Sequence, residues 1–282
     1  MIINGKEIAQ KVEEALVKQV QSLKERLISP SMALIQIGED KASTSYAKSI
    51  AREAQNSGIY LEYHNLPSET PQQELLSTIK KLNERKDING IMVELPLPQH
   101  IDRDAIIEAI SPEKDIDCFH PINIGRLLEG NARFIPATAQ SILETIKNVS
   151  PVIEGKFAVI IGRSNIVGKP TALLLMQENA TITVCHSHTK NLQSIAQMAD
   201  ILVVSTGRPQ MITRSYVKRG AVVIDVGINK VEGRIVGDVD FEDVKDVAGW
   251  ITPVPGGIGI LTTLMLLKNT VKAAKIQNGI SW

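Results

Sequence analysis

The residues best suited to chemistry fall in a few short stretches of this 282-residue chain. In Val159-Ile160-Ile161-Gly162-Arg163-Ser164-Asn165-Ile166-Val167-Gly168-Lys169-Pro170 an apolar run stops at one glycine and resumes after another. That pattern reads as a strand, a phosphate-sized turn and a helix N-terminus, where outward N–H groups and the helix dipole favour an anion. Only Gly162 and Gly168 remain of the usual G-x-G-x-x-G spacing, so a purely structural turn is the rival reading. Arg163 and Ser164 lie where the strand ends, and the next strand ends in Cys185-His186-Ser187-His188-Thr189. An acidic residue there would bind a ribose hydroxyl, and none is present. Arg163, Ser164 and Ser187 suit a 2′-phosphate instead, so NADP is expected rather than NAD. His186 and His188 read as ordinary loop residues.

Tyr46 sits on a helical pattern with Ile50 one turn further on. It is either a packing residue or a catalytic one. Glu94 closes an apolar run before Leu95-Pro96-Leu97-Pro98, at a strand carboxyl end where ligands bind in α/β sheets. Burial there would raise its pKa and allow acid–base work; a rim carboxylate paired with lysine is the alternative. Asp115 and Asp117, in Lys114-Asp115-Ile116-Asp117-Cys118, lack further ligands and read as anchors for a polar ring rather than a metal site. Thr252-Pro253-Val254-Pro255-Gly256-Gly257-Ile258-Gly259 fixes a tight backbone path, either a ligand-approaching loop or a structural corner.

Alternating helix and strand patterns must carry these residues. Ile8, Val12, Leu16, Val20, Leu23 and Leu27 recur at helical spacing and predict a helix over 5–27. Strands are predicted at 32–37, 60–64 and 90–95, with helices at 43–57 and 71–83. A second series has strands at 157–161, 181–185, 200–204 and 221–226, with a linker around 118–140 before it. The fold class is therefore α/β with two domains, an N-terminal βα domain and a C-terminal doubly wound, Rossmann-like nucleotide-binding domain. Two such domains leave a cleft where cofactor and substrate meet.

Composition narrows the partners. Zero net charge gives no reason to expect nucleic acid or an anionic membrane surface. No apolar run reaches the roughly 20 residues needed to span a bilayer. The N-terminal residues lack a signal-peptide core, and Cys118 and Cys185 form no ligand-spaced pair. A cytoplasmic protein without disulfide or metal is expected.

Together these stretches resemble the bifunctional methylenetetrahydrofolate dehydrogenase/methenyltetrahydrofolate cyclohydrolase family. The resemblance runs from Ile3-Asn4-Gly5-Lys6 to the last helix. Its most specific pieces are Glu94-Leu95-Pro96-Leu97-Pro98, Lys114-Asp115-Ile116-Asp117, Phe119-His120-Pro121-Ile122-Asn123-Ile124-Gly125-Arg126, the 162–170 loop, Val226-Gly227-Ile228-Asn229, Gly237-Asp238-Val239 and 251–259. It implies a folate-binding catalytic domain over 1–136, with a helix at about 262–282 packing back on it, and an NADP-binding domain over 137–261. It also implies a homodimer in one-carbon metabolism and purine biosynthesis, acting on a tetrahydrofolate-type substrate. A hydride moves from the folate methylene bridge to NADP, and water then opens the methenyl cation to formyltetrahydrofolate.

By the same match Tyr46 flanks the folate ring and Asp117 anchors the pterin. Tyr46, Glu94 and Asp117 fall on catalytic positions, and Ile50, Pro255, Gly256 and Gly257 on further substrate-binding ones. Gly162, Arg163, Ser164, Ile166, Gly168, Ser187 and Ile228 fall on cofactor-binding positions. Four positions depart from the family pattern. Ile50 stands where the lysine of the water step is expected, Glu94 replaces a glutamine, Cys118 a glycine and Ile260 a proline. Lys48 points to another helix face, and Arg52 cannot act as a base near neutral pH. Hydride departure needs positioning and electrostatics, whereas hydration needs a proton removed, help worth about 10²–10⁴-fold. The expectation is a dehydrogenase with weak or absent cyclohydrolase activity. The alternatives are a bifunctional enzyme using Glu94 in the water step, or a non-catalytic or altered-substrate paralogue.

Overall fold

The computed structural model describes residues 1–280. In chain order it contains α1 (Gly5–Lys24), β1 (Ser31–Ile37), α2 (Lys41–Ser57), β2 (Tyr60–Leu66), α3 (Gln72–Glu84), β3 (Gly90–Val93), α4 (Arg103–Ala109), α5 (Pro121–Leu128) and α6 (Ala137–Val149). There follow β4 (Phe157–Ile161), α7 (Gly168–Gln177), β5 (Thr181–Cys185), α8 (Leu192–Ala196), β6 (Ile201–Val204), β7 (Val222–Asp225), β8 (Asn229–Val231), β9 (Arg234–Val236), α9 (Phe241–Val244), β10 (Trp250–Ile251) and α10 (Ile258–Gln277). Ser281 and Trp282, where the expected terminal helix ends, lie outside the described residues.

The chain forms two compact units. The first comprises Val12–Ala137 and the chain from Thr263 on; the second comprises Met1–Lys11 and Thr138–Thr262. The sequence reading kept 1–136 together, but Ile3 donates its N–H to the Ile251 carbonyl at 2.8 Å, which ties the N-terminal segment to the second unit.

In the first unit a parallel sheet runs β2-β1-β3, with Met32 opposite Gly90 and Ile35 opposite Val93. Every residue of β1 is buried, as expected for a central parallel strand covered on both faces. Ala33, Ile35, Leu75, Ile79, Ile91 and Ile106 form its apolar core. Asp40 starts α2 by accepting the Ser43 N–H at 2.8 Å, and Gly58 ends it in the left-handed region. The strand read to Leu95 stops at Val93. Glu94 still donates its N–H to the Ile35 carbonyl at 2.9 Å, but Pro96 has no N–H to extend the ladder. The stretch read as a linker holds a helix, α5. Pro121 occupies its first turn, and His120 Nδ1 accepts the Ile122 N–H at 3.1 Å.

The second unit is a five-stranded parallel sheet in the order β10-β7-β6-β4-β5, the doubly wound arrangement expected. Val159, Leu202, Val204, Val223 and Ile251 belong to its core. A β8–β9 hairpin turns through Glu232 and Gly233, both with positive φ, as a type I′ turn requires. No described helix is long and apolar enough to cross a membrane.

Candidate active site

In the second unit the β4–α7 turn is set by two glycines. Gly162 has φ +129°, and a Cβ there would lie 2.3 Å from the Ser205 carbonyl oxygen. A Cβ on Gly168 would lie 2.1 Å from the Gly162 carbonyl oxygen. Ser164 Oγ accepts the N–H groups of Val167 and Gly168 at 3.1 and 3.4 Å, closing the turn before α7.

The carboxyl ends of β4, β5 and β6 line a cavity of about 250 Å³, to which Gly162, Arg163, His186, Ser187, Ser205 and Arg208 contribute. Arg163 and Ser187 therefore meet as the sequence suggested, while Ser164 engages the turn. Ile166 and Ile228 are exposed. His186, read as an ordinary loop residue, faces the same cavity. Its Nδ1 accepts the His188 N–H at 3.2 Å. Partial desolvation, then Arg163 and His188 beside it, hold its pKa below the ordinary histidine value.

Ser205 and Arg208 went unread, although Ser205-Thr206-Gly207-Arg208 directly follows β6 and so sits at a strand carboxyl end. Asp238 positions this segment by accepting the N–H groups of Thr206 and Gly207 at 2.5 and 2.9 Å. With two guanidinium groups, two serine hydroxyls and no carboxylate in the lining, the cavity fits a phosphorylated ribose.

In the first unit the β3 terminus, the loop between α4 and α5, and α2 bring Glu94, Asp117 and Tyr46 together. Glu94 is 5% exposed, and its Oε1 has no hydrogen-bond partner. Burial, then the charges of Asp117 and Asp40, push its pKa up to about 8. Asp117 rises to about 7 through burial and the neighbouring Asp115. Tyr46 hydrogen-bonds Thr263 at the start of the last helix, and burial beside Asp117 and Glu94 keeps its phenol protonated.

Asp115 organises the loop. It accepts the Phe119 N–H at 3.1 Å, the His120 N–H at 2.9 Å and the Asn123 amide at 2.8 Å. Cys118 lies between with φ +61°, a conformation that suits the glycine of the family pattern. Its Sγ donates to the Phe134 carbonyl at 3.2 Å.

Ile50 is fully buried. Lys48 is exposed, and Arg52 is exposed and paired with Glu53 at 2.8 Å. Sequence reasoning missed Asp40, Tyr63 and Thr263 around this group. Tyr63 donates to Gln36 Oε1 at 2.6 Å and feels the Glu94 charge. Only tertiary packing brings β2 and α10 to this place. Pro255, Gly256 and Gly257 belong to the second unit, where Gly256 has φ +108°. Among the described residues no group of His, Cys, Asp or Glu side chains could hold a metal ion.

Comparison with known proteins adds to this geometry. Residues 3–117 match the tetrahydrofolate dehydrogenase/cyclohydrolase catalytic domain, and 136–278 match the NAD(P)-binding domain of the same name. Bifunctional protein FolD of Bacillus cytotoxicus is 53% identical over 276 residues, covering 98% of this chain and 96% of that protein. The solved FolD structure from Campylobacter jejuni is 44% identical with TM-score 0.95, covering 98% of this chain and 99% of that one. The Trypanosoma brucei methylenetetrahydrofolate dehydrogenase-cyclohydrolase, solved with NADP and an inhibitor, is 38% identical with TM-score 0.93, covering 98% and 97%.

Proposed function

Because the chain belongs to the tetrahydrofolate dehydrogenase/cyclohydrolase family, we propose that it oxidises methylenetetrahydrofolate with NADP and hydrates the methenyl product weakly or not at all. The observation that carries the second half is Ile50. It is a buried hydrocarbon one helical turn from Tyr46, at the position where the family resemblance expects the lysine of the water step.

When bound, NADP supplies the hydride acceptor. Arg163, His186, Ser187 and Arg208 are the residues that would hold its phosphorylated ribose, beside the Gly162–Gly168 turn, where the protein's own backbone leaves no room for a Cβ. Tyr46, Glu94 and Asp117 would hold the folate ring, Asp117 as the pterin anchor. Orienting the substrate and stabilising the developing cation are electrostatic tasks that need no base. Hydration is different, because water must lose a proton as it attacks. Lys48 is exposed to solvent, and the Arg52 guanidinium is paired with Glu53.

A second reading keeps the water step and assigns it to Glu94. The unpartnered Oε1 favours it. One experiment separates the two. Purified protein, methylenetetrahydrofolate and NADP are mixed, and reduced cofactor and methenyl absorbance are followed together. Methenyl that persists at its non-enzymatic hydrolysis rate supports the first reading; rapid clearance supports the second. No reduced cofactor at all would sink both and leave a non-catalytic or altered-substrate paralogue. Ile50→Lys should gain hydration if the missing amine is the only obstacle. The same resemblance leads us to expect a homodimer, which light scattering tests.

A further inference from the structure

The substitutions at Glu94 and Ile50 change the charge of the site in one direction, since one adds a carboxyl and the other leaves no amine. Glu94 is almost wholly buried with an unsatisfied oxygen, an arrangement that is costly unless a ligand completes it. The groups that act on it are Asp117 from the loop between α4 and α5 and Asp40 at the start of α2. Tyr46 on α2 and Tyr63 on β2 face it as neutral phenols. Lys272 on α10 lies near Cys118 instead. The described charged groups acting on Glu94 are thus acidic, an environment that a bound cation would balance.

We propose that Glu94 is the counter-ion of the methenyl cation, giving up its proton as that cation forms or binds. This inference rests on the dehydrogenase reading above. In the free site the carboxyl is largely protonated near neutral pH, because burial and its acidic neighbours oppose ionisation. A protonated carboxyl offers an O–H donor and a carbonyl acceptor, where the amide of the family's glutamine offers two N–H donors and a carbonyl acceptor. Hydride departure leaves one positive charge on the bridge between the folate nitrogens. The two electrons and the hydrogen reside on the reduced cofactor, and the Glu94 proton passes to solvent. The folate then carries the positive charge and Glu94 the negative one. Product formation is thereby linked to release of one proton, and the site prefers the oxidised cation over neutral folates.

The test needs no cofactor. Calorimetric titration of the protein with methenyltetrahydrofolate and with tetrahydrofolate, in buffers of different ionisation enthalpy near pH 7, counts protons released on binding. The wild-type protein should release close to one proton with the cation and none with tetrahydrofolate. Its preference for the cation should grow with pH up to about 8. Glu94→Gln, isosteric and matching the family pattern, should abolish the proton release and reduce the cation preference roughly tenfold, the size of one hydrogen bond to a charged group. Ile50→Lys, adding a cation beside the acids, should lower the preference as well. Unchanged proton release in Glu94→Gln would overturn the proposal and point to Asp117. Equal affinity for both folates in a protein that still reduces NADP would also overturn it while leaving the dehydrogenase reading intact. Binding of neither folate would overturn both.

Discussion

Asp225 holds Asp238 in place: its Oδ1 accepts the Asp238 N–H at 3.0 Å, and Asp238 accepts the N–H groups of the segment that follows β6. Asp225 also takes the N–H groups of Gly227 and Val239, each at 2.9 Å. Asp225→Ala leaves these buried donors unsatisfied. It should cost about 3 kcal/mol and lower Tm by roughly 6–12 °C, measured by scanning calorimetry. Because the Arg208 segment loosens with it, KM for NADP should rise in the same variant.

Arg163 and Ser187 line one cavity at adjacent strand ends. Arg163→Ala should raise KM for NADP by about 10–100-fold, the range expected for charge-assisted hydrogen bonds. Activity with NAD, which lacks the 2′-phosphate, should change little. Steady-state kinetics with both cofactors check this, and an equal loss for both would contradict the 2′-phosphate assignment.

Stability should fall with rising pH through the neutral range. Glu94 at about 8 and Asp117 at about 7 both titrate above the ordinary carboxylate value, so folding favours their protonated forms. Groups of this kind stabilise the fold fully below their unfolded pKa values, near pH 4. Their contribution fades as pH rises and is lost above about pH 8. Glu94→Gln should match the wild type in Tm at pH 5 and exceed it at pH 8.5.

Both cysteines are buried, and burial raises the thiol pKa of each. Neither should react with a thiol reagent in the native state at pH 7.5, and both should react after denaturation. Cys118→Val places a β-branched residue at φ +61° and should destabilise the protein by about 2–3 kcal/mol. Denaturant unfolding measures that loss.

Most strands could be read from the sequence because buried parallel strands are short apolar runs between turn residues. The phosphate turn was legible for a related reason, since Gly162 and Gly168 occupy positions that exclude a Cβ. α5 escaped notice because its eight residues carry too little periodicity, although Pro121 marks its start. The β3 end differs by two residues because Leu95 resumes the apolar pattern after Glu94, whose N–H makes the last ladder bond. In the candidate site, Glu94 stands out because a carboxyl directly follows the apolar β3, whereas Tyr46 and Asp117 are marked by the family resemblance. Asp40, Tyr63 and Thr263 carry no such mark, and only the packing of α2, β2 and α10 around the sheet reveals them. His186 was undervalued because a loop histidine has no distinguishing neighbour in sequence, only in space.

The Glu232–Gly233 turn of the β8–β9 ribbon has a practical consequence for anyone who needs a reporter in this protein. Both turn residues are exposed, and among the described residues β8 and β9 form a two-stranded sheet of their own. Foreign sequence entering there meets solvent and interrupts no buried ladder. A peptide epitope or a fluorophore attachment site inserted between Glu232 and Gly233 therefore gives a handle that leaves the strand ends, and whatever they bind, untouched.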